Sequence, residues 1–195
     1  VPVFGSELTI ELAKIACANE DAAKDFDDFH IVDEKTEIDF ESATVSFFKT
    51  THSVPESFGI VVKTRKGNIV YTGDFKFDQT AAVGYKTDLG RLAEIGHEGV
   101  LALLSDSANA ENPKETVDEH VIFDFISETF EYHKGRIIVA CVASNILRVQ
   151  QIFEAASAND RKVVLTGHDA EKIVKTAMRL NKLHLPSDDL LVPLK

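Results

Sequence analysis

The fold is decided by residues 43–74, which read ATVSFFKTTHSVPESFGIVVKTRKGNIVYTGD. Apolar and polar residues alternate from Ala43 to Phe48, and this period of two predicts a strand with one buried face. Two further strands are predicted from Phe58 to Lys63 and from Ile69 to Thr72. Residues 65–68 separate them as a hairpin turn in which Gly67 can adopt positive φ. The segment therefore predicts an antiparallel meander.

The strand ends of this meander carry residues suited to metal binding. His52 follows the first strand and Asp74 follows the third, so both should lie at the same edge of the sheet. A helix near residues 89–95 and an apolar strand at residues 100–104 come next, and a parallel arrangement of that strand would bring Asp106 to the same edge. A histidine and one or two carboxylates at strand ends suit Zn²⁺ or Mn²⁺. From spacing alone, a surface or hydrogen-bonded loop histidine and a turn aspartate are the more common explanation.

The sequence before the meander and the sequence after it predict different kinds of structure. A helix from Glu7 to Ala18, capped by Ser6, is followed by an acidic surface loop over residues 19–41 with one short strand near residues 30–32. After Asp106, helices and apolar strands alternate, which is typical of an α/β layer with a parallel sheet. The helices are predicted from Thr116 to about His133, from Asn145 to Ala158 and from Ala170 to Asn181, and the buried strands over Ile137–Val142 and Lys162–Thr166.

The predicted fold class is therefore α/β, with an antiparallel part followed by an α/β part and a boundary near residues 107–113. Aromatic residues at strand and helix spacing are expected in the core rather than on a base-stacking surface. These are Phe47, Phe48, Phe75, Phe77, Phe123 and Phe125.

Composition excludes several classes of protein. The chain has 195 residues, a formal net charge of −11 and 44% hydrophobic residues, as expected of a soluble globular protein. Because no apolar run approaches the ~20 residues that cross a bilayer, no membrane association is predicted. The negative charge argues against a simple basic nucleic-acid-binding patch but leaves a metal-centred site open. Cys17 and Cys141 form no C-x-x-C pair, so a reducing cytosol is expected.

Four stretches resemble the ribonuclease J family, the metallo-β-lactamase-fold nucleases that carry an inserted β-CASP domain. They are TTHSVPES (50–57), YTGDFKFDQT (71–80), LAEIGHEGVLALLSDSANAE (92–111) and ASNILRVQQIFEAA (143–156). The resemblance covers nearly the whole chain in consistent order. It implies a partial metallo-β-lactamase αββα fold over residues 1–108 and the first part of a β-CASP parallel-sheet domain over residues 109–195.

The resemblance also implies a function and a site. It implies a cytoplasmic ribonuclease that hydrolyses RNA phosphodiesters internally and from the 5′ end with two metal ions, expected to be Zn²⁺ with Mn²⁺ or Mg²⁺ as alternatives. By motif, His52 would be a ligand to one ion and Asp74 would bridge both, so these are the expected catalytic residues. Asp106 would support a neighbour of the metal site, and Ser144 and Asn145 would contact RNA. The expected partners are RNA and a paralogue in a homo- or hetero-oligomer.

The chain also departs from the family pattern. The family's His-x-His-x-Asp-His ligand motif is absent, since no two of the seven histidines are separated by one residue. The chain is therefore expected to be a central fragment that is inactive alone, with its first and last residues internal to a longer protein. Leu147 stands where the family usually has histidine, and residues 166–169 replace Gly-Arg-Ser-Met, which indicates the less active ribonuclease J paralogue. His168 is expected to be a polar loop residue rather than a ligand.

Two other functions stay open at this point. The longer protein could be a non-catalytic scaffold in a hetero-oligomeric RNA-degradation complex, which an eroded upstream ligand motif would indicate. A small-molecule metallo-hydrolase of the same superfamily is disfavoured, because such enzymes lack the α/β insertion that is predicted to begin after Asp106.

Overall fold

The computed structural model describes residues 1–78, 84–113 and 117–194. This part of the chain has a mixed α/β structure, as predicted. In chain order its elements are β1 (Val3–Gly5), α1 (Glu7–Cys17), β2 (Phe29–Ile31), β3 (Glu37–Asp39), β4 (Ala43–Lys49), β5 (Phe58–Thr64), β6 (Gly67–Tyr71), α2 (Leu89–Glu98), β7 (Val100–Leu104), α3 (Glu119–Tyr132), α4 (Ile146–Ala158) and α5 (Ala170–Arg179).

The residues form two compact units. Unit one comprises Val1–Ile10, Asp28–His52 and Glu56–Thr116, and unit two comprises Glu11–Asp27, Ser53–Pro55 and Val117–Lys195. The division into domains at residues 108 and 109 stays a prediction.

The main sheet of unit one contains the predicted meander. Its strand order is β3-β4-β5-β6-β7, with antiparallel pairing from β3 to β6 and parallel pairing of β7 with β6. The register pairs Lys49 with Phe58 at one end of the β4–β5 ladder and Thr64 with Gly67 at the hairpin. Gly67 has φ of 135°, in the region that favours glycine. The predicted strands β4 to β7 are thus confirmed, whereas β3 was missed.

The core of unit one lies on one face of this sheet. Phe48, Val61, Val70 and Ile95 form a buried cluster against which Leu92 packs. Gly59 is directly opposite Phe48 in the β4–β5 register, and the Phe48 ring occupies the space above it. A β-carbon on residue 59 would lie 2.1 Å from the Cζ of Phe48. The ring can therefore pack flat on the sheet only because residue 59 has no side chain.

The acidic segment holds more structure than expected. The predicted short strand is β2, which pairs in parallel with β1 in a separate two-stranded sheet, and the imidazole of His30 stacks on Phe4 with ring centroids 4.8 Å apart. The α1 helix begins and ends close to the predicted limits, and the main-chain oxygen of Ser6 accepts a hydrogen bond from the Ile10 N–H.

Two strand predictions in the second half are wrong for the described residues. Residues 137–142 form no strand, and Ile138 is 88% exposed. An apolar run of this kind is typical of a strand in a sheet that is covered on both faces, and no described strand pairs with it. At residues 162–166 only a single bridge forms, between Val163 and Leu191, and Val164 is exposed. The apolar pattern was present in both runs, but among the described residues the first has no strand partner and the second has a partner only at Val163.

The helix predictions are mostly confirmed. The α4 and α5 helices match the predicted segments, with α5 ending two residues early at Arg179. The predicted start of α3 at Thr116 lies outside the described residues, and the helix begins at Glu119. None of the helices that the structure describes combines the length and apolar character needed to span a bilayer.

The core prediction for the phenylalanines holds only in part. Phe47 and Phe48 are buried in β4, but Phe77 and Phe125 are 63% and 68% exposed, so their assignment to the core was wrong. Phe77 lies after the end of β6, where its ring meets that of Phe75 in a T-shaped arrangement, and Phe125 lies on a face of α3 that no described element of unit two covers.

Replacing Gly59→Ala should lower the free energy of unfolding by about 1–3 kcal/mol, because the new methyl group overpacks the Phe48 ring. Urea unfolding followed by circular dichroism measures this change. Gly96→Ala is the matched control: Gly96 lies inside α2 with no atom within 4 Å of a β-carbon, so the substitution should stabilise the helix by about 0.5–1 kcal/mol. Equal effects of the two substitutions would contradict the proposed contact. A double variant with Phe48→Leu should lose less than the sum of the single changes.

Candidate functional site

Three polar loops follow strands that end at one edge of the main sheet. β4 and β6 run in the same direction because β5 is antiparallel to both, and β7 is parallel to β6. His52, Asp74 and Asp106 follow these three strands in turn. The structure therefore places all three candidate residues of unit one at the predicted edge.

The His52 and Asp74 side chains face each other. Nε2 of His52 lies 3.6 Å from Oδ2 of Asp74, which is longer than a hydrogen bond. The His52 side chain is 34% exposed and the Asp74 side chain 73% exposed. Two ligands bonded at about 2.0–2.1 Å to one tetrahedral zinc ion lie about 3.4 Å apart, so the observed separation fits a pair of ligands to one ion.

The pair is an incomplete ligand set by itself. Within residues 1–78, 84–113 and 117–194, no three His, Cys, Asp or Glu side chains come close enough together to hold a metal ion. A zinc site needs three or four protein ligands. His52 and Asp74 thus fit two ligands of a metal ion, and among the described residues no third ligand lies beside them.

Asp106 is held by backbone hydrogen bonds. Its N–H donates to Oγ1 of Thr72 at 2.9 Å, and its Oδ1 accepts the N–H of Ala108 at 2.8 Å. One carboxylate oxygen thus closes the turn after β7, and this loop is fixed to the end of β6.

The turn that carries Asp74 requires glycine at residue 73. Gly73 has φ of 61°, a left-handed conformation that costs side-chain-bearing residues about 1–2 kcal/mol. A β-carbon there would also lie 2.9 Å from the main-chain oxygen of Phe58. Both the conformation and the close approach of the two backbones depend on the missing side chain.

The loop that carries His52 is held by a pair of threonines that sequence reasoning missed. The N–H of Thr51 donates to Oγ1 of Thr87, the N–H of Thr87 donates to Oγ1 of Thr51, both at 2.9 Å, and the hydroxyl oxygens are 3.0 Å apart. The main-chain oxygen of Thr51 accepts the N–H of Lys76 at 2.9 Å. Thr51 is 1% exposed. A threonine beside a loop histidine was the only signal in the sequence, and it does not identify Thr87.

The predicted RNA-contacting residues lie in unit two, at the start of α4. Asn145 caps this helix, since its Oδ1 accepts the N–H of Arg148 at 3.0 Å, and Ser144 is half-buried next to it. The Arg148 guanidinium donates to Gln151 at 2.6 Å and pairs with Glu119 at 3.3 Å.

Two of the residues that depart from the family pattern, Leu147 and His168, differ in exposure. Leu147 is buried in α4 of unit two. His168 is an exposed residue beside Asp169, whose pKa is held below its usual value mainly by a hydrogen bond from Lys172.

Comparison with known proteins confirms the resemblance seen in the sequence motifs. Residues 134–194 match the family model "Ribonuclease J, beta-CASP domain". The chain is 58% identical over 191 residues to "Ribonuclease J 2" of Streptococcus pyogenes serotype M3 and 44% identical over 191 residues to "Ribonuclease J2" of Bacillus subtilis. These alignments cover 98% and 97% of the chain, which spans 34% of the length of each relative.

A solved structure shows the same fold. The crystal structure of a protein of unknown function from Enterococcus faecalis V583 matches with a TM-score of 0.72, covering 99% of this chain and 49% of that chain. Its sequence identity is 14%, so the match supports the fold alone.

Replacing Gly73→Ala should destabilise unit one by about 1–3 kcal/mol, because it adds strain at positive φ and a contact with the Phe58 carbonyl. Chemical denaturation measures the loss, and the amide shifts of His52 and Asp74 report movement of the site. Gly84→Ala separates the two causes: Gly84 has φ of 93° but no atom within 4 Å of a β-carbon, so only about 1 kcal/mol of conformational strain is expected. Unmoved amide shifts at Asp74 in the Gly73→Ala variant would contradict the role given to this turn.

Proposed function

From this similarity to ribonuclease J over nearly the whole chain, we propose that the 195 residues are part of a metal-dependent ribonuclease of that type, corresponding to 34% of the length of the relative from Streptococcus pyogenes. The longer protein would hydrolyse phosphodiester bonds in RNA in the cytoplasm. The observation that supports this most directly is the separation of 3.6 Å between the His52 imidazole and the Asp74 carboxylate at the ends of β4 and β6.

In this proposal His52 and Asp74 hold the catalytic metal. Nitrogen and carboxylate ligands suit Zn²⁺ and also Mn²⁺, so His52 and Asp74 would be the residues of this chain that hold the metal. When bound, the metal supplies a hydroxide nucleophile at neutral pH and charge stabilisation for the phosphoryl oxygens. The family's His-x-His-x-Asp-His motif would provide the ligands that this chain lacks.

The remaining residues of the site shape it. Asp106 does not ligate in this proposal: its Oδ1 is engaged with the Ala108 N–H, and its backbone is fixed to Thr72. The exposed Asp74 carboxylate would repel an RNA phosphate unless a cation lies between them. We therefore expect RNA to enter the site only when metal is present.

Ser144 and Asn145 are proposed to contact RNA at the start of α4. The carboxamide oxygen of Asn145 is engaged in capping the helix, so its amide nitrogen is the group that would donate to a phosphate. The N-terminus of α4 adds a partial positive charge at this point.

A second function, the non-catalytic scaffold, is favoured by one observation. Arg148 is engaged with Glu119 and Gln151, and Leu147 is buried where the family usually has a histidine. This part of unit two then offers RNA fewer cationic contacts than the family pattern does. A complete protein with an eroded upstream ligand motif, assembled with a catalytic paralogue, would fit that observation.

His52→Ala and Asp74→Ala are expected to remove metal and RNA cleavage from the complete protein while the fold is retained. Cleavage should fall about 100-fold or more, because loss of outer ligand partners alone costs about 10–100-fold. Metal content by mass spectrometry and cleavage of an end-labelled RNA are the measurements. His97→Ala and Asp124→Ala, two exposed residues outside the site, are the matched controls.

The outcomes separate the alternatives. Unchanged metal content in both site variants would contradict the ligand assignment. A wild-type protein that assembles with a paralogue and binds RNA without cleaving it would be the scaffold. RNA cleavage by the 195-residue chain alone, with zinc added, would show that no further ligands are needed.

A further inference from the structure

The hydroxyl group of Thr72 joins two of the three loops at the site. Its Oγ1 accepts the N–H of Asp106 at 2.9 Å and donates to the main-chain oxygen of Gly73 at 2.7 Å. The N–H of Thr72 donates to the main-chain oxygen of Leu104 at 3.0 Å, which extends the β6–β7 ladder beyond the Tyr71–Leu104 pair. Thr72 is therefore bound to the segment before Asp106 through both its backbone and its side chain.

This arrangement requires a group that donates and accepts at the same time. A hydroxyl does both, whereas a valine of the same shape does neither. One of the two hydrogen bonds fixes the peptide between Gly73 and Asp74, and the other fixes the peptide that begins Asp106. The orientation of one peptide relative to the other thus depends on a single oxygen atom.

The backbone around Thr72 has little freedom to compensate. Gly73 is at positive φ and lies against the Phe58 carbonyl, so rotation there is limited on one side. On the other side, β6 is held between β5 and β7. Loss of the Thr72 hydroxyl should therefore release the Asp74 turn rather than be absorbed by the strand.

We propose that Thr72 is a positioning residue that sets the Asp74 carboxylate against the Asp106 loop and thereby determines metal affinity at the site. The inference rests on the proposed function, because it takes Asp74 as a metal ligand. In this proposal Thr72 would act through Asp74 and would not itself be a ligand of the metal or a contact of RNA.

Thr64 offers a matched control on the same sheet. Its Oγ1 accepts the N–H of Lys66 at 3.1 Å and donates to the main-chain oxygen of Gly67 at 2.8 Å, the same pattern of two backbone hydrogen bonds. Thr64 lies in the β5–β6 hairpin, at the opposite edge of the sheet from His52 and Asp74. Thr64→Val removes an equivalent hydroxyl without touching the site.

The test compares Thr72→Val, Thr72→Ser and Thr64→Val in the complete protein. Zinc affinity is measured by competition with a chromophoric chelator, stability by thermal unfolding, and cleavage by kcat and KM for one RNA. We expect Thr72→Val to weaken zinc binding about 10- to 100-fold, as loss of an outer-shell partner does. At saturating zinc, kcat should fall while KM for RNA stays the same. Thr72→Ser should restore the zinc affinity and kcat. Thr64→Val should lower the melting temperature about as much as Thr72→Val does, with unchanged zinc affinity.

Each result of these measurements either supports or overturns the positioning role of Thr72. Wild-type zinc affinity in Thr72→Val, an equal loss in Thr64→Val, or no rescue by Thr72→Ser overturns the positioning role while the proposed function stands. Asp74→Ala is measured alongside: wild-type zinc affinity in that variant overturns the ligand assignment, and with it the role of Thr72. Weak zinc binding in Asp74→Ala and Thr72→Val, with normal binding in Thr72→Ser and Thr64→Val, supports both.

Discussion

The site depends on the direction in which the strands of the main sheet run. Two successive reversals, at the β4–β5 loop and at the hairpin before Gly67, return β6 to the direction of β4, and the parallel pairing of β7 adds a third strand with the same polarity. Loops that are far apart in the sequence thereby meet at one edge. The β4–β5 register on which this depends is held by Phe48 lying flat over Gly59, since a shift of one residue would turn the ring to the other face.

Much of this arrangement could be predicted from the sequence because its signals are local. Alternation identified β4, the flanking glycine identified the hairpin, and strand polarity then placed His52 and Asp74 at one edge. The hydrogen bonds that Thr51 makes with Thr87, and Thr72 with Asp106, were not predictable in the same way. Whether a threonine hydroxyl meets Thr87 or the Asp106 N–H depends on which loops the fold brings together, and neither residue type nor spacing encodes that.

The apolar run at residues 137–142 shows the opposite case, in which a strong local signal predicted the wrong structure for the described residues. Its composition is that of a strand covered on both faces, yet Val142 is 71% exposed. β7 carries the same signal and does form a strand, because β6 supplies a ladder for it. Even so, all five of its residues are exposed. An apolar pattern indicates that a segment is suited to burial. A strand forms only where a neighbouring strand also hydrogen-bonds to that segment. The exposure of these two apolar segments is consistent with a chain that spans 34% of the length of its relatives.

In the proposed enzyme, the positive charge of the metal would also attract RNA to the site. Carboxylates engage several cations of unit one, among them Lys49 with Glu34, Lys63 with Glu98 and Arg91 with Glu94. The hydrogen bond from Lys63 holds the pKa of the Glu98 carboxyl below its usual value. These side chains therefore contribute little net positive charge toward RNA, and the site edge itself presents the carboxylate of Asp74. The chain has a net charge of −11, so in the proposed enzyme the ion that His52 and Asp74 would hold would attract a phosphate to this edge. His52 and Asp74, by holding the metal that would supply the nucleophile, would thus also determine whether RNA binds.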